Sequence, residues 1–194
     1  MMADIVNLSK KLFYDRLKKY PLAKGGYYFH VPEVERWARI ILQKNPDIDA
    51  EVVLVAVWLH DIGSFPHTKQ DHARDHAVAG MRIANVFLKK HHYDAQKTRM
   101  ILHCIRAHRC RDVKPKTKEA KCVACSDSAS HLTDYVYLRM MIDARTINDK
   151  QLAGYARDKL ERDYDDLSFF PHIQKELTPL YLAWKRLLSE YHKI

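Results

Sequence analysis

Hydrophobic positions recur at helical spacing along almost the whole chain. In MMADIVNLSKKLFYDRLKKY, Ile5, Leu8, Leu12 and Leu17 form the apolar stripe of an amphipathic helix. Val34, Trp37, Ala38 and Ile41 repeat at that spacing through EVERWARIILQKN, with Pro32 expected in the first turn. EVVLVAVWLHDIG is rich enough in valine to suit a buried strand. Its length from Ala50 to His60 favours a helix, capped by Asp47 or Asp49 and ended by Gly63. SFPHTKQDHARD is a polar loop, after which Asp71 or Asp75 starts a helix carrying Val78, Met81, Ala84 and Leu88. AQKTRMILHCIRAHR carries Met100, Ile101, Cys104 and Ile105, and a basic loop with Pro115 leads to a helix resuming near Glu119. YVYLRMMIDA, ARDKLERDYDDL and FFPHIQKELTPLYLAWKRLLSEY complete the pattern. In the last, Leu177, Tyr181, Trp184 and Leu188 form a stripe of the kind that packs into a core.

The expectation is an all-α chain, folded as a single globular multi-helix domain over residues 1–194. Its 194 residues suit one domain with flanking helices, and 47% hydrophobic residues suffice for a core. Five glycines and seven prolines argue against a loop-rich chain. No apolar run of the roughly 18 residues a membrane span needs is present. The N-terminal stretch also lacks the continuous apolar segment of a secretory signal. The reading is a cytoplasmic chain with no membrane partner. Its four cysteines suit thiols better than bridges. The net charge of +9 favours anionic partners, namely nucleotides, other phosphorylated metabolites or nucleic acid.

The candidate chemistry begins at His60-Asp61, which ends the apolar run AVWLHDIG. A charged aspartate at the end of a buried segment is costly unless something pairs with it. A divalent cation uses both residues at once. His30 upstream, at the expected start of its helix, and Asp127 downstream add a second imidazole and a second carboxylate. Mixed nitrogen and oxygen donors suit Mn, Fe, Co, Ni or Zn, with Mg as a further candidate. Adjacent helical residues point about 100° apart, so one ion can take both His60 and Asp61 only at a helix end or across a cleft.

The order His30, His60-Asp61, Asp127, carried by HVPEVERWA, WLHDIG, HAVAG and CSDSASHL, resembles the HD-domain superfamily of metal-dependent phosphohydrolases. The resemblance implies an HD-domain-like helical bundle with its core over about residues 26–135 and its metal site in a cleft between helices. An N-terminal helix and C-terminal helices would pack on that core. It implies an enzyme that cleaves a phosphoester of a nucleotide or similar phosphorylated small molecule by metal-activated water, using one or two divalent ions. His76 in DHAVAG and His108 in ILHCIRAHR stand where the dinuclear branch of the family has extra ligands. If both bind, Asp61 bridges two ions; if not, they are left to move protons or contact substrate. His103 points in another helical direction, and His67, His72, His91, His92, His131, His172 and His192 read as loop or surface residues. Three places after Asp61 stands Ser64, where the 5′-deoxynucleotidase branch has an acidic residue and cyclic-dinucleotide branches commonly have lysine. CSDSASHL also departs from the usual lysine or arginine after the aspartate.

The basic charge concentrates near two of these elements. Arg106, Arg109 and Arg111 surround His108, and Lys114, Lys116, Lys118 and Lys121 precede Asp127. The arginines and Lys114 are the phosphate-binding candidates, the arginines ahead because a guanidinium grips phosphate with two parallel hydrogen bonds. Cys122 and Cys125 form a CxxC, read as small buried cysteines ahead of a zinc knot or redox pair. Two alternatives stand beside the hydrolase: a non-catalytic metal- and nucleotide-binding regulatory module, and a di-iron oxygenase-type HD protein. A nucleic-acid binder ranks last, since no recognition motif accompanies the charge. The pattern is compatible with a homo-oligomer without requiring one.

Overall fold

The computed structural model describes residues 4–19, 24–65, 75–146 and 150–190. Nine α-helices follow one another among them: α1 (Ile5–Lys18), α2 (Lys24–Lys44), α3 (Ala50–Leu59), α4 (His76–Lys90), α5 (Ala95–Ala107), α6 (Lys118–Thr133), α7 (Val136–Thr146), α8 (Lys150–Asp166) and α9 (Pro171–Glu190). Short 3-10 turns lie at Ile62–Ser64 and Leu167–Phe169, and no strand occurs among the described residues. The helices form a single all-α bundle.

Helix starts follow the short polar side chains. Asp4, Asp49, Asp75, Asp94 and Thr117 each accept a backbone N–H of the helix that follows. This satisfies donors that have no partner within the helix. Asp49 and Asp75, of the two pairs offered by the sequence, are the residues that cap α3 and α4.

Two helices are buried on every side. Val52 through Leu59 of α3 and Cys122 through Ser130 of α6 are all buried, and the remaining helices wrap around them. Small residues on α6 (Ala, Cys, Ser) let α2, α3, α5, α8 and α9 approach it closely. Its buried hydroxyls stay satisfied within the helix, Ser126 donating to the Cys122 carbonyl at 2.7 Å and Ser130 to the Asp127 carbonyl at 2.8 Å. The valine-rich segment is thus an inner helix, not a strand.

Three sequence expectations shift. On α1 the buried line is Ile5, Ser9, Phe13 and Leu17, while Leu8 and Leu12 flank it and are half-buried. Phe13 is fully buried, with ring centroids 5.5 Å from Trp58 and 5.8 Å from Phe65. Pro32 lies inside α2, not in its first turn, so His30 sits within the helix and not at its start. The proline lacks the donor for the Tyr28 carbonyl, but Tyr28 is 50% exposed, so water is at hand for that group. Gly63 does not end α3, which closes at His60; it belongs to the 3-10 turn that follows. Glycine is required there because a Cβ would overlap the His76 carbonyl oxygen and the Gly80 nitrogen of α4. That turn and α4 pack backbone to backbone.

At the far end Leu177, Tyr181 and Leu188 of α9 are buried, and Trp184 packs beside them while donating to the Leu132 carbonyl at 2.9 Å. No helix among the described residues is long and apolar enough to cross a membrane.

Candidate metal centre

Two helix ends use the same device. His60 closes α3 and His108 closes α5. Carbonyls in a last helical turn have no helical donor. His60 Nδ1 donates to the Val57 carbonyl and His108 Nδ1 to the Ile105 carbonyl, each at 2.7 Å. A carbonyl cannot donate, so each ring proton is fixed on Nδ1 and Nε2 is left with its lone pair. The hydrogen bond therefore orients the ring as well as choosing its tautomer. Asp61 leaves helical geometry (φ −101°, ψ 8°), which returns its carboxylate to 3.5 Å from His60 Nε2. The helix end thereby resolves the difficulty of adjacent residues pointing apart.

His30 is held similarly from the opposite side. Its Nδ1 lies 3.1 Å from Ser130 Oγ and 3.3 Å from Asp134 Oδ2. The Ser130 hydroxyl spends its proton on the Asp127 carbonyl, so it accepts from His30. His30 Nε2 then faces Asp127 Oδ1 at 3.1 Å.

The side chains converge as two groups. His30, His60 and Asp127 form one, and Asp61, His76 and His108 the other, with the donor atoms of each group within 4.8 Å of one another. Asp61 faces both. Its Oδ2 lies 3.7 Å from His30 and 3.5 Å from His60, while its Oδ1 lies 3.3 Å from His76 and 3.7 Å from His108. All six residues nominated from the sequence are thus brought together.

The donor chemistry fits a cation. His60 Nε2 and Asp127 Oδ1, 3.6 Å apart, are buried and have no hydrogen-bond partner. Lone pairs so close, out of water, need a positive charge between them. Protonation reflects the same demand. Burial opposes a charge on His30, yet Asp127, Asp134 and Asp61 overcome it and raise its pKa to about 10. Burial likewise opposes ionisation of Asp61 and Asp127, but the surrounding histidines hold both carboxyls below the usual carboxylate range. His108 goes the other way: burial, then the neighbouring His60, lower it to about 4. A neutral imidazole is the form that binds metal.

His131, which the sequence pattern assigns to a loop or the surface, lies in the site. It lies one turn beyond Asp127 on α6, its ring stacked on His30 at 5.0 Å and its Nε2 3.5 Å from Asp127. Its Nδ1 lies 3.1 Å from Asp163 and 2.9 Å from Lys159 Nζ, both on α8. The i+4 spacing from Asp127 was the available signal. His103 instead accepts the Lys116 N–H at 3.0 Å, His91 packs on Phe87, and His172 lies by Phe170. His92 occupies a turn with φ 51°. His67, His72 and His192 lie outside the described residues.

Of the phosphate-binding candidates, Arg109 and Arg111 line a cavity of about 320 Å³ that opens on Asp61, His76, His108 and Asp127. Arg106 and Lys114 do not line it: Arg106 pairs with Asp112, and Lys114 donates to the Cys110 carbonyl at 2.6 Å. Lys118 pairs with Asp47 outside the site, and Lys121 lies over the Phe169 ring. An adjoining cavity of about 450 Å³ shares Tyr27, Asp61, His131 and Lys159, and carries an apolar wall of Val136, Met140 and Leu152 beside Tyr135. The four cysteines are buried thiols, and burial pushes Cys122 up to about 12.

The HD domain family model matches residues 27–131, a little over half of the chain. No curated protein and no solved structure matches it.

Proposed function

The chain belongs to the HD domain family, a superfamily of metal-dependent phosphohydrolases, and from that premise we propose that it hydrolyses a phosphoester of a nucleotide or similar phosphorylated small molecule. The observation that carries the reading is the division of Asp61, one oxygen toward His30 and His60 and the other toward His76 and His108. His30, His60 and Asp127 would hold one divalent ion, and His76 and His108 a second, with Asp61 shared. When bound, such ions lower the pKa of water and neutralise charge on a phosphoryl oxygen.

The chain's own residues supply the rest. The Val57 and Ile105 carbonyls keep His60 and His108 in the tautomer that presents Nε2. Ser130 and Asp134 orient His30. Arg109, steadied by Asp75, offers a guanidinium at the wall of the cavity to orient a phosphate. The apolar wall of the adjoining cavity suits the organic part of the substrate, which favours a phosphorylated molecule with an apolar or aromatic portion such as a nucleotide.

The test is a phosphoester panel of nucleoside mono-, di- and triphosphates and an aryl phosphate, run with Mn, Fe, Co, Ni, Zn or Mg. Wild type is compared with Asp61→Ala, with folding of both checked by circular dichroism. Turnover of at least one ester, reduced about 100-fold or more in the variant, supports the hydrolase. Binding of metal and nucleotide without turnover of any ester would replace it with the regulatory module.

A further inference from the structure

α8 lies outside the residues matched by the family, yet it forms one wall of the cavity beside the metal centre. Four cations line that cavity: Arg109, Arg111, Lys159 and Arg162. Two already have a carboxylate partner, Arg109 in Asp75 and Lys159 in Asp163 at 2.8 Å. The other two converge on Tyr155. Arg111 Nη2 donates to the Tyr155 hydroxyl at 3.0 Å, and the Arg162 guanidinium lies 5.5 Å from the centre of the Tyr155 ring. Neither pairs with a carboxylate among the ion pairs of the described residues.

A tyrosine orients a guanidinium without cancelling its charge. Its hydroxyl accepts a hydrogen bond and its ring face attracts a cation, but it carries no negative charge of its own. Two arginines gathered on one tyrosine repel each other, and both line the cavity without a carboxylate partner of their own, although Asp163 and Asp166 stand on the same wall. An anion there relieves the repulsion, and planar guanidinium groups match phosphate oxygens in two-point hydrogen bonds.

We propose that Arg111, Arg162 and Tyr155 form a second anion subsite, which takes a phosphate other than the one attacked, so that the preferred substrates carry two or more phosphate groups. The substrate part of this proposal rests on the phosphohydrolase reading above; the binding part does not.

The binding arm compares inorganic pyrophosphate with orthophosphate by calorimetry on the full chain, for wild type, Arg111→Gln/Arg162→Gln and Tyr155→Phe. Wild type is expected to prefer pyrophosphate, and the double variant to lose about tenfold or more of that preference. Tyr155→Phe, which keeps the ring and loses the hydroxyl, is expected to fall between them. The catalytic arm measures the ratio of kcat/KM for nucleoside triphosphate to that for monophosphate, which should drop by a similar factor in the double variant. Folding of each variant is verified by its thermal midpoint. An unchanged preference for pyrophosphate, or the absence of one in wild type, overturns the subsite. Turnover with an unchanged ratio also overturns it and leaves the hydrolase standing. Absence of turnover on every ester refutes the hydrolase instead, and the binding arm alone then decides the subsite.

Discussion

Gly63→Ala tests how the backbone around the second ligand group is assembled. The added Cβ would overlap the His76 carbonyl oxygen and the Gly80 nitrogen, and would lie 3.0 Å from the Ala79 carbonyl carbon. All three are backbone atoms, so no side chain can swing aside, and the turn at Ile62–Ser64 must part from α4 by roughly 1 Å. Forced overpacking of this kind costs about 1–3 kcal/mol, and rigid neighbours put it at the upper end. Loss of glycine's freedom in the unfolded chain offsets about 0.4–1 kcal/mol. The net expectation is a loss of about 2 kcal/mol, or roughly 4–8 °C in Tm for a chain of this length. Gly80→Ala is the milder comparison: its Cβ would meet the His60 carbonyl at 3.2 Å, which asks that backbone to give by only a few tenths of an ångström. Replacing a helical glycine also gains up to about 1 kcal/mol, so the expected change is near zero. Urea denaturation and calorimetric melting of both variants supply the assay. Displacement of α4 also draws His76 from Asp61, so Gly63→Ala should weaken metal binding at the second group before the first. Wild-type stability in Gly63→Ala would refute the backbone contact and the placement of His76 that depends on it.

Other expectations are as direct. Ser130→Ala removes one of the two acceptors that orient His30, and should weaken metal affinity about tenfold with little change in the fold, read by competition with a chromogenic chelator. Phe13→Ala empties a fully buried site between α1 and α3 and should cost about 3–5 kcal/mol in urea denaturation; a loss under about 1 kcal/mol would mean α1 is not part of the core. Glu35 accepts from Trp58 Nε1 at 2.7 Å and pairs with Lys10 and Arg39. Burial raises its pKa, but these partners outweigh it and depress the folded value below the ordinary 4.5. Its stabilisation is therefore complete above pH 4.5 and lost as pH falls through the folded value. Glu35→Gln should be less stable than wild type by roughly 2 kcal/mol at pH 7, with the gap closing in acid. A gap independent of pH would contradict the charge pairing.

Much of this arrangement was legible in the chain because helical periodicity and capping act locally. Val34, Trp37, Ala38 and Ile41 are buried as their spacing requires, and Asp49 and Asp75 cap as short acceptors do. His60-Asp61 stood out because a charged pair ending a buried helix demands compensation. What escaped was nonlocal. His131 reads as one more histidine until α8 brings Asp163 and Lys159 against it. Tyr155 and Arg162 gain their place only when α8 crosses the cavity, some thirty residues after Asp127. Arg106 looked as suitable as Arg109 and Arg111, with Lys114 ranked behind them, and only the structure shows Arg106 and Lys114 engaged with Asp112 and the Cys110 carbonyl. Pro32 and Gly63 were misplaced because each has a common role at a helix end, which packing here overrides.

The central claim is that Asp61 joins two ligand groups. Metal content of the purified full chain, after reconstitution with Mn, Fe or Ni, tests it most directly, with wild type beside His76→Ala and Asp61→Ala. Wild type should hold two equivalents and His76→Ala one, while Asp61→Ala should lose metal from both groups. No bound metal in reconstituted wild type, or equal content in all three proteins, would contradict it.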